Sequence, residues 1–385
     1  HRHWQACPYD TLSHRMGSEW PTESDWRALE LARDKPPTAS QIEAVARQTT
    51  PDSARWAFGQ WELRARARPK FVRADEMLFT KAGLEMASHP QLADYHAGLF
   101  PEGSRVADLT CGIGADLIAF ARRGQVVGFD ADPIHAACAR HNLAVHGLEG
   151  EVIVADCRTE EWPSEYVFLD PGRRTESRRI RAISEYLPDP VALLPRLRAA
   201  QGFAIKLSPM LPDDDLRGFG VGVEFISAQR ECREALINSE TEGVWAVTVG
   251  GEVRRIPRSE SPWSASEPGH YIFEADPAAI RAHALGGFGL DALGDSPGYL
   301  TGDDPTPSPW LTAFRVVWFG PWHERKVKQA LRERDRAVDV VKMRGVPLDP
   351  DRVRASLRGT GQVPITALLY PVGPKVFCTL VEKLP

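Results

Sequence analysis

Cysteine is scarce and unpaired in this sequence. Six residues (Cys7, Cys111, Cys138, Cys157, Cys232 and Cys378) are scattered over 385 positions with no C-x-x-C pair. That spacing argues against a disulfide framework and favours a reducing, cytoplasmic setting. No apolar run reaches the roughly 18 residues that a membrane-spanning helix needs, and no secretory signal is legible. Basic charge is not in excess: 47 Lys and Arg stand against 52 Asp and Glu, a formal net charge of -5. A bulk binder of polyanions is therefore not expected, and any such contact must come from local clusters. The opening HRHWQACPYD also lacks an initiator Met; the expectation is a fragment, or vector or upstream residues before Met16. No tandem repeat is evident. The length allows two or three domains with ample core.

What is present centres on Arg105 to Asp116, RVADLTCGIGAD. Val106-Ala107-Asp108-Leu109 predicts a buried strand. Cys111-Gly112-Ile113-Gly114 predicts a glycine turn, and a helix follows from Ala115 with Leu117, Ile118, Ala119 and Phe120. Strand, glycine turn and helix open a nucleotide-binding α/β sheet. Glycines let the backbone approach a ligand, and the helix start offers free N–H groups. The dinucleotide fingerprint G-x-G-x-x-G fails, because its sixth place is Leu117. Asp108 stands instead four positions before the first glycine. The order D-x-x-x-G-x-G resembles the first motif of class I S-adenosylmethionine (SAM) methyltransferases. In that family the acid lies near the methionine end of the cofactor, and the glycines let the backbone pass it.

Three further strand ends follow in order. Gln125 to Asp130, QVVGFD, is an apolar strand ending in an acid, with Ala131 and Asp132 beside it; an acid there accepts hydrogen bonds from a ribose diol. Glu151 to Cys157, EVIVADC, places Asp156 at a third end, where the methyltransferases often meet the adenine amino group. Tyr166 to Pro171, YVFLDP, places Asp170 where that family keeps its reaction motif. The ordered set implies a Rossmann-like, seven-stranded α/β sheet over residues 101–250.

Residues 1–100 read as a helical region. One helix carries Trp26, Leu29 and Leu31, opening near Glu23 to Asp25. A second carries Ile42, Val45 and Ala46, with Ser40 as N-cap. A third is aromatic-rich, with Trp56, Phe58, Trp61 and Leu63; helical spacing favours core over base stacking. A fourth spans Leu78 to Ala87, with Phe79, Thr80 and Lys81 placed where related methyltransferases have cofactor-lid contacts. After Asp170 an arginine loop precedes an interrupted helix over Leu187 to Ala199. Gln201 to Pro209 gives the fifth strand and Val221 to Ala228 the sixth. Val244 to Val249 gives a seventh, expected as the antiparallel edge. Residues 251–312, rich in Pro, Gly, Ser and Asp, read as a connector with Tyr271-Ile-Phe and Ala278 to Ala284 as its ordered pieces. Residues 313–385 read as strand, helix, strand, helix, strand, strand: a small α+β module.

The combination Asp170-Pro171-Gly172-Arg173-Arg174, Ile205-Lys206-Leu207-Ser208-Pro209 and the C-terminal module resembles a little-characterised bacterial family of SAM methyltransferases with a THUMP-like C-terminal domain. The resemblance covers most of the chain from about residue 20. The family commonly shows D-P-A-R-R, so Gly172 is a departure. THUMP domains proper belong to RNA-modifying enzymes, so the implied partner is RNA, tRNA or rRNA.

The reading therefore assigns SAM to Asp108, Thr110, Cys111, Gly112, Gly114, Asp130, Ala131, Asp156, Cys157 and Asp170. It assigns the reaction to Asp170 and Arg173, and the substrate to Arg173, Arg174 and Lys206. Amino-methylating enzymes often use [DNS]-P-P-[YFW]; here Gly172 and Arg173 replace the second proline and the aromatic. An Arg plane is then the remaining stacking surface, and the arginine pair suits phosphate or carboxylate. Loop capping by Asp170 and salt bridging by the arginines are the plain alternatives. Cys232 is the one cysteine considered as a nucleophile for pyrimidine carbon. No metal is expected: His135, Cys138 and His141 recur every three residues but read as surface. Basic clusters lie at Arg64 to Arg73, Arg173 to Arg181 and Arg325 to Arg336. Three functions stay open: an RNA methyltransferase, a methyltransferase for a small anionic molecule or a protein, and a catalytically degenerate binder of SAM or RNA.

Overall fold

The computed structural model describes residues 20–173 (backbone alone at Arg173), 182–359 and 361–384. It divides into two compact units, His1–Lys206 and Leu207–Pro385.

The N-terminal unit opens with helices. α1 (Glu23–Ala32) starts on a capping box, in which Thr22 Oγ accepts the Asp25 N–H and Asp25 Oδ2 accepts the Thr22 N–H. α2 (Ala39–Ala46) is capped by Thr38 rather than by the expected Ser40. Thr38 Oγ reaches the Gln41 N–H at 3.3 Å, which leaves Ser40 inside the first turn. α3 (Pro51–Ala67) buries Trp56 and Phe58, and Trp61 donates its indole N–H to the Leu29 carbonyl. Trp56 and Phe58 are core, and Trp61 is half-buried. The helix expected over Leu78 to Ala87 begins later, as α4 (Lys81–Met86). Asn142 clasps the N–H and carbonyl of Leu78, and Gln60 clasps those of Phe79. Backbone groups bound by side chains are withheld from a helical ladder. α5 (Pro90–Gly98) follows.

Four of five parallel strands then form with their crossing helices: β1 (Arg105–Asp108), α6 (Ala115–Ala121), β2 (Gln125–Asp130), α7 (Pro133–Val145), β3 (Glu151–Val154) and β4 (Tyr166–Leu169). A two-residue pair, β5 (Gly172–Arg173) with β6 (Tyr186–Leu187), precedes α8 (Pro190–Leu197) and β7 (Gly202–Leu207). The order is β7-β4-β1-β2-β3. Their near-continuous apolar sequences suit strands covered on both faces. Because all five run parallel, their C-terminal ends share one edge, where such sheets bind ligands.

The C-terminal unit begins with α9 (Asp213–Arg217), β8 (Gly222–Ala228), β9 (Glu231–Asn238), β10 (Val244–Val249) and β11 (Arg254–Pro257). The expectation of an antiparallel strand at Val244 to Val249 is corrected here: β10 runs parallel to β8, and β9 is the antiparallel partner. Gln229 and Arg230 join β8 to β9, both at positive φ (52° and 61°). Two such residues make the tight turn that closes a hairpin.

The stretch read as a connector also holds β12 (Ser264–Ala265), β13 (Tyr271–Ala275), α10 (Pro277–Arg281), β14 (Asp291–Leu293) and β15 (Tyr299–Gly302). Its four last strands extend a sheet with β16 (Leu311–Pro321), β17 (Arg336–Met343), β18 (Val363–Val372) and β19 (Lys375–Lys383), in the order β12-β14-β15-β13-β16-β19-β18-β17. α11 (Glu324–Glu333) and α12 (Pro350–Ser356) complete the expected C-terminal module. Strand alternation builds two cores. Ile365, Ala367 and Leu369 of β18 pack with Val327, Leu331 and Val353 of the helices, while Leu368 and Tyr370 face Ile272, Tyr299 and Phe314.

Candidate active site

The site lies on the C-terminal edge of the five parallel strands, and its frame is backbone. The glycine turn after β1 puts Gly112 at φ +53° and Gly114 at φ +89°, a region L side chains rarely adopt. The two glycines face different surroundings. A Cβ at Gly114 would press on Ala139 of α7 at 3.2 Å, whereas one at Gly112 would meet nothing within 4 Å. Gly114 is a packing requirement; Gly112 is an open backbone cradle. The Gly112 N–H donates to Asp130 Oδ2 at 2.8 Å, and the Asp132 N–H donates to Asp130 Oδ1 at 2.8 Å. A carboxylate offers about four lone-pair positions, so Asp130 retains capacity for a diol. Burial raises its pKa despite those two bonds and the nearby His135.

Thr110 ties β1 to the reaction loop. Its hydroxyl donates to the Asp170 carbonyl at 2.9 Å and accepts the Asp170 N–H at 3.0 Å. Asp108, wholly buried, accepts the Thr110 N–H at 3.2 Å. Burial first, then the charges of Asp116, Asp170 and Asp130, hold its carboxyl well above the usual range. Asp170 Oδ2 lies 2.6 Å from the Lys206 ammonium, which also donates to Ser88 Oγ at 3.0 Å. Below them His96 Nδ1 meets Asp116 Oδ1 at 2.7 Å. Burial alone would raise the Asp116 carboxyl; the His96 hydrogen bond and charge, with Lys206 and Ser88, outweigh it and hold it low.

The chain is similar to known proteins over most of its length. Over 347 residues the chain is 30% identical to an uncharacterised S-adenosylmethionine-dependent methyltransferase of Mycobacterium tuberculosis, matched in two strains, covering 84% of this chain and 94% of that protein. The chain belongs to the SAM-dependent methyltransferases. The methyltransferase also matches a family described as RNA cap guanine-N2 methyltransferase over residues 103–191 and one described as THUMP domain-like over residues 311–382. A crystal structure from Porphyromonas gingivalis W83, itself assigned only provisionally as a methyltransferase, shares the fold at 22% identity. Its TM-score is 0.77, over 94% of this chain and 98% of that one.

Of the expected site residues, hydrogen bonds run from Asp108 through Thr110 and Asp170 to Lys206, and separately from Gly112 to Asp130. Cys111 is buried under the turn, its thiol pushed up by burial and the carboxylates of Asp108 and Asp130. Ala131 is exposed beside Asp130. Asp156 turns to Arg158, whose Nε sits 2.9 Å from both its oxygens and whose bonds lower its pKa. Cys157 is buried, and burial pushes its thiol to about 12. The side chain of Arg173 and the whole of Arg174 lie outside the described residues.

Other expectations change. Cys138 is fully buried rather than at the surface, and His135 bonds to Thr80 Oγ at 2.9 Å; α7 turns that face inward. Phe79 is fully buried, so it is core rather than a lid contact. Among the described residues no three His, Cys, Asp or Glu side chains cluster to hold a metal. Cys232 lies on β9 with its thiol pushed to about 12 by burial, a poor nucleophile. In the first basic cluster Arg64 holds the Met77 carbonyl, and Arg66, Arg68 and Arg73 pair with Glu85, Asp75 and Glu76. Sequence reading missed Ser88, His96 and Asp116. Asp116 had a signal, an acid in the first turn of an apolar helix; Ser88 and His96 had none.

Proposed function

We propose that the enzyme transfers the methyl group of SAM to a base of RNA, in tRNA or rRNA. The observation that carries the reading is the tie between the cradle and the reaction loop: one threonine, Thr110, fixes Asp170 beside the turn that Asp130 closes. The open face of Gly112 fits a cofactor pressed against backbone. Bound SAM supplies an electrophilic methyl group on a sulfonium.

The residues of the chain position the partners. Asp130 accepts from the ribose hydroxyls, with Ala131 beside it, and Asp156 accepts from the adenine amino group while sharing its charge with Arg158. Gly112 lines the cofactor, Gly114 and the buried Cys111 and Cys157 support that wall from behind, and Asp108 and Thr110 stand at the methionine end. Asp170 accepts a hydrogen bond from the attacking atom of the base. Arg173 and Arg174 hold phosphate, and Arg173 offers a plane for the base. The two RNA-related family matches support the choice of RNA over a small anion or a protein.

Transfer of tritium from methyl-labelled SAM to total RNA of a strain lacking the gene tests this, followed by mass spectrometry of its nucleosides against the parent strain. The expected result is one methylated nucleoside that is absent from the deletion strain and restored by the enzyme. Label in a small acidic metabolite or in protein, with none in RNA, would select the second function left open above.

A further inference from the structure

We infer that Lys206 is a positioning residue: its ammonium fixes the orientation and charge of the Asp170 carboxylate and does not itself bind substrate. The inference rests on the assignment of Asp170 to the acceptor atom in the preceding proposal.

Geometry argues for it. Lys206 leaves the end of β7 and sets its ammonium 2.6 Å from Asp170 Oδ2 and 3.0 Å from Ser88 Oγ. Its side chain is only 17% exposed, against 29% for Asp170. Ser88, nearly buried, is also bonded to Asp116, which pairs with His96. The ammonium thus links a buried polar network to the Asp170 carboxylate at the reaction loop. Thr110 fixes the backbone of Asp170; Lys206 fixes its head group.

The charge around Asp170 makes that link necessary. Asp108 on β1, Asp116 on α6 and Asp130 on β2 bring three carboxyl groups to this edge, and Asp108 feels the other three acids. Of the cations, Lys206 is paired directly with Asp170. Lys70, beyond α3, repels Lys206 and donates to the Ala87 carbonyl. His96 on α5 serves Asp116. Removing the Lys206 charge takes away an opposite charge 2.6 Å from Asp170 Oδ2, a neighbour that favours the ionised carboxylate, and a protonated carboxyl donates where it must accept.

The test uses the full-length enzyme, tritiated SAM and total RNA from a strain lacking the gene, with SAM binding by calorimetry as the check of folding. Lys206→Met should cut transfer near pH 7 about a hundredfold while SAM affinity stays within about twofold of wild type. Its acidic limb in the pH profile should move up by about one unit or more, so that activity partly recovers in alkali. Lys206→Arg should restore both rate and limb. Should Lys206→Met fail to fold, Lys206→Gln removes the charge at similar length and carries the same readings. Equal losses in the Met, Gln and Arg variants with an unmoved limb would overturn the inference and make Lys206 a substrate contact, as would full activity in Lys206→Met. Asp170→Asn separates the two readings: wild-type transfer there would remove the role given to Asp170, and this inference with it, whatever the residue at 206.

Discussion

Gly112 and Gly114 sit two positions apart in one turn and carry different burdens. At Gly112 an added methyl meets nothing within 4 Å, so Gly112→Ala should cost about 1–2 kcal/mol from its positive φ yet lower SAM affinity more than tenfold, because the methyl would stand on the face proposed for the cofactor. Thermal melting and calorimetry separate the two effects. Unchanged SAM affinity in a folded variant would place the cofactor elsewhere. The buried pair of His96 and Asp116 gives a pH dependence. A carboxyl held below its ordinary value adds stability that is complete above that value and is lost as pH falls through the lower folded one. The Asp116 contribution should therefore persist down to about pH 4 and fade below it. In His96→Ala, urea melts from pH 3 to 7 should show a loss of about 1–3 kcal/mol, with the acid loss beginning at higher pH. At this scale the acids of the strand ends were legible, because each closes a short apolar run. Ser88 and His96 were not, since their role comes from partners 28 and 20 residues distant in Asp116.

Between elements, Thr110 couples β1 to the loop after β4 by accepting and donating at once. Thr110→Val keeps the shape and removes both bonds, so stability should fall by about 1–3 kcal/mol with slower methyl transfer, read by denaturant melts and tritium counting. Stability equal to wild type would show that the tie is dispensable. Parallel strands and their helices were readable from apolar runs punctuated by glycine and acid. The places where reading failed share a cause: pairing depends on partners the local sequence does not name. Glu231 to Asn238 opens with Glu, Cys, Arg and Glu and hides a strand whose pairing is set by the Gln229–Arg230 turn. Ser264 to Gly302 looks like linker by composition, yet it holds strands of two to five residues: β13 pairs with Phe314 and its neighbours on β16, and the others pair outward from β13. α4 starts late because Asn142 and Gln60, distant in sequence, claim the backbone before it.

For the whole molecule, net charge is -5, so the proposed RNA substrate would have to be held by local basic clusters against an unfavourable total. Replacing Arg173 and Arg174 with Ala should weaken RNA binding and flatten its dependence on salt by about two phosphate contacts, measured by filter binding across a salt series. An unchanged slope would move the phosphate contacts to other arginines. The C-terminal order of strands and helices was legible from sequence; its RNA role is the reading that such a salt series and the nucleoside analysis address. The proposed function stands on carboxylates at one sheet edge holding SAM over the Gly112 turn. Calorimetry of SAM with the full-length protein and with Asp130→Ala tests it most directly. The account requires one SAM per chain in the wild type and affinity at least tenfold weaker in the variant, the loss of hydrogen bonds to a charged acceptor. No heat in the wild type, or identical curves for the two proteins, would contradict it.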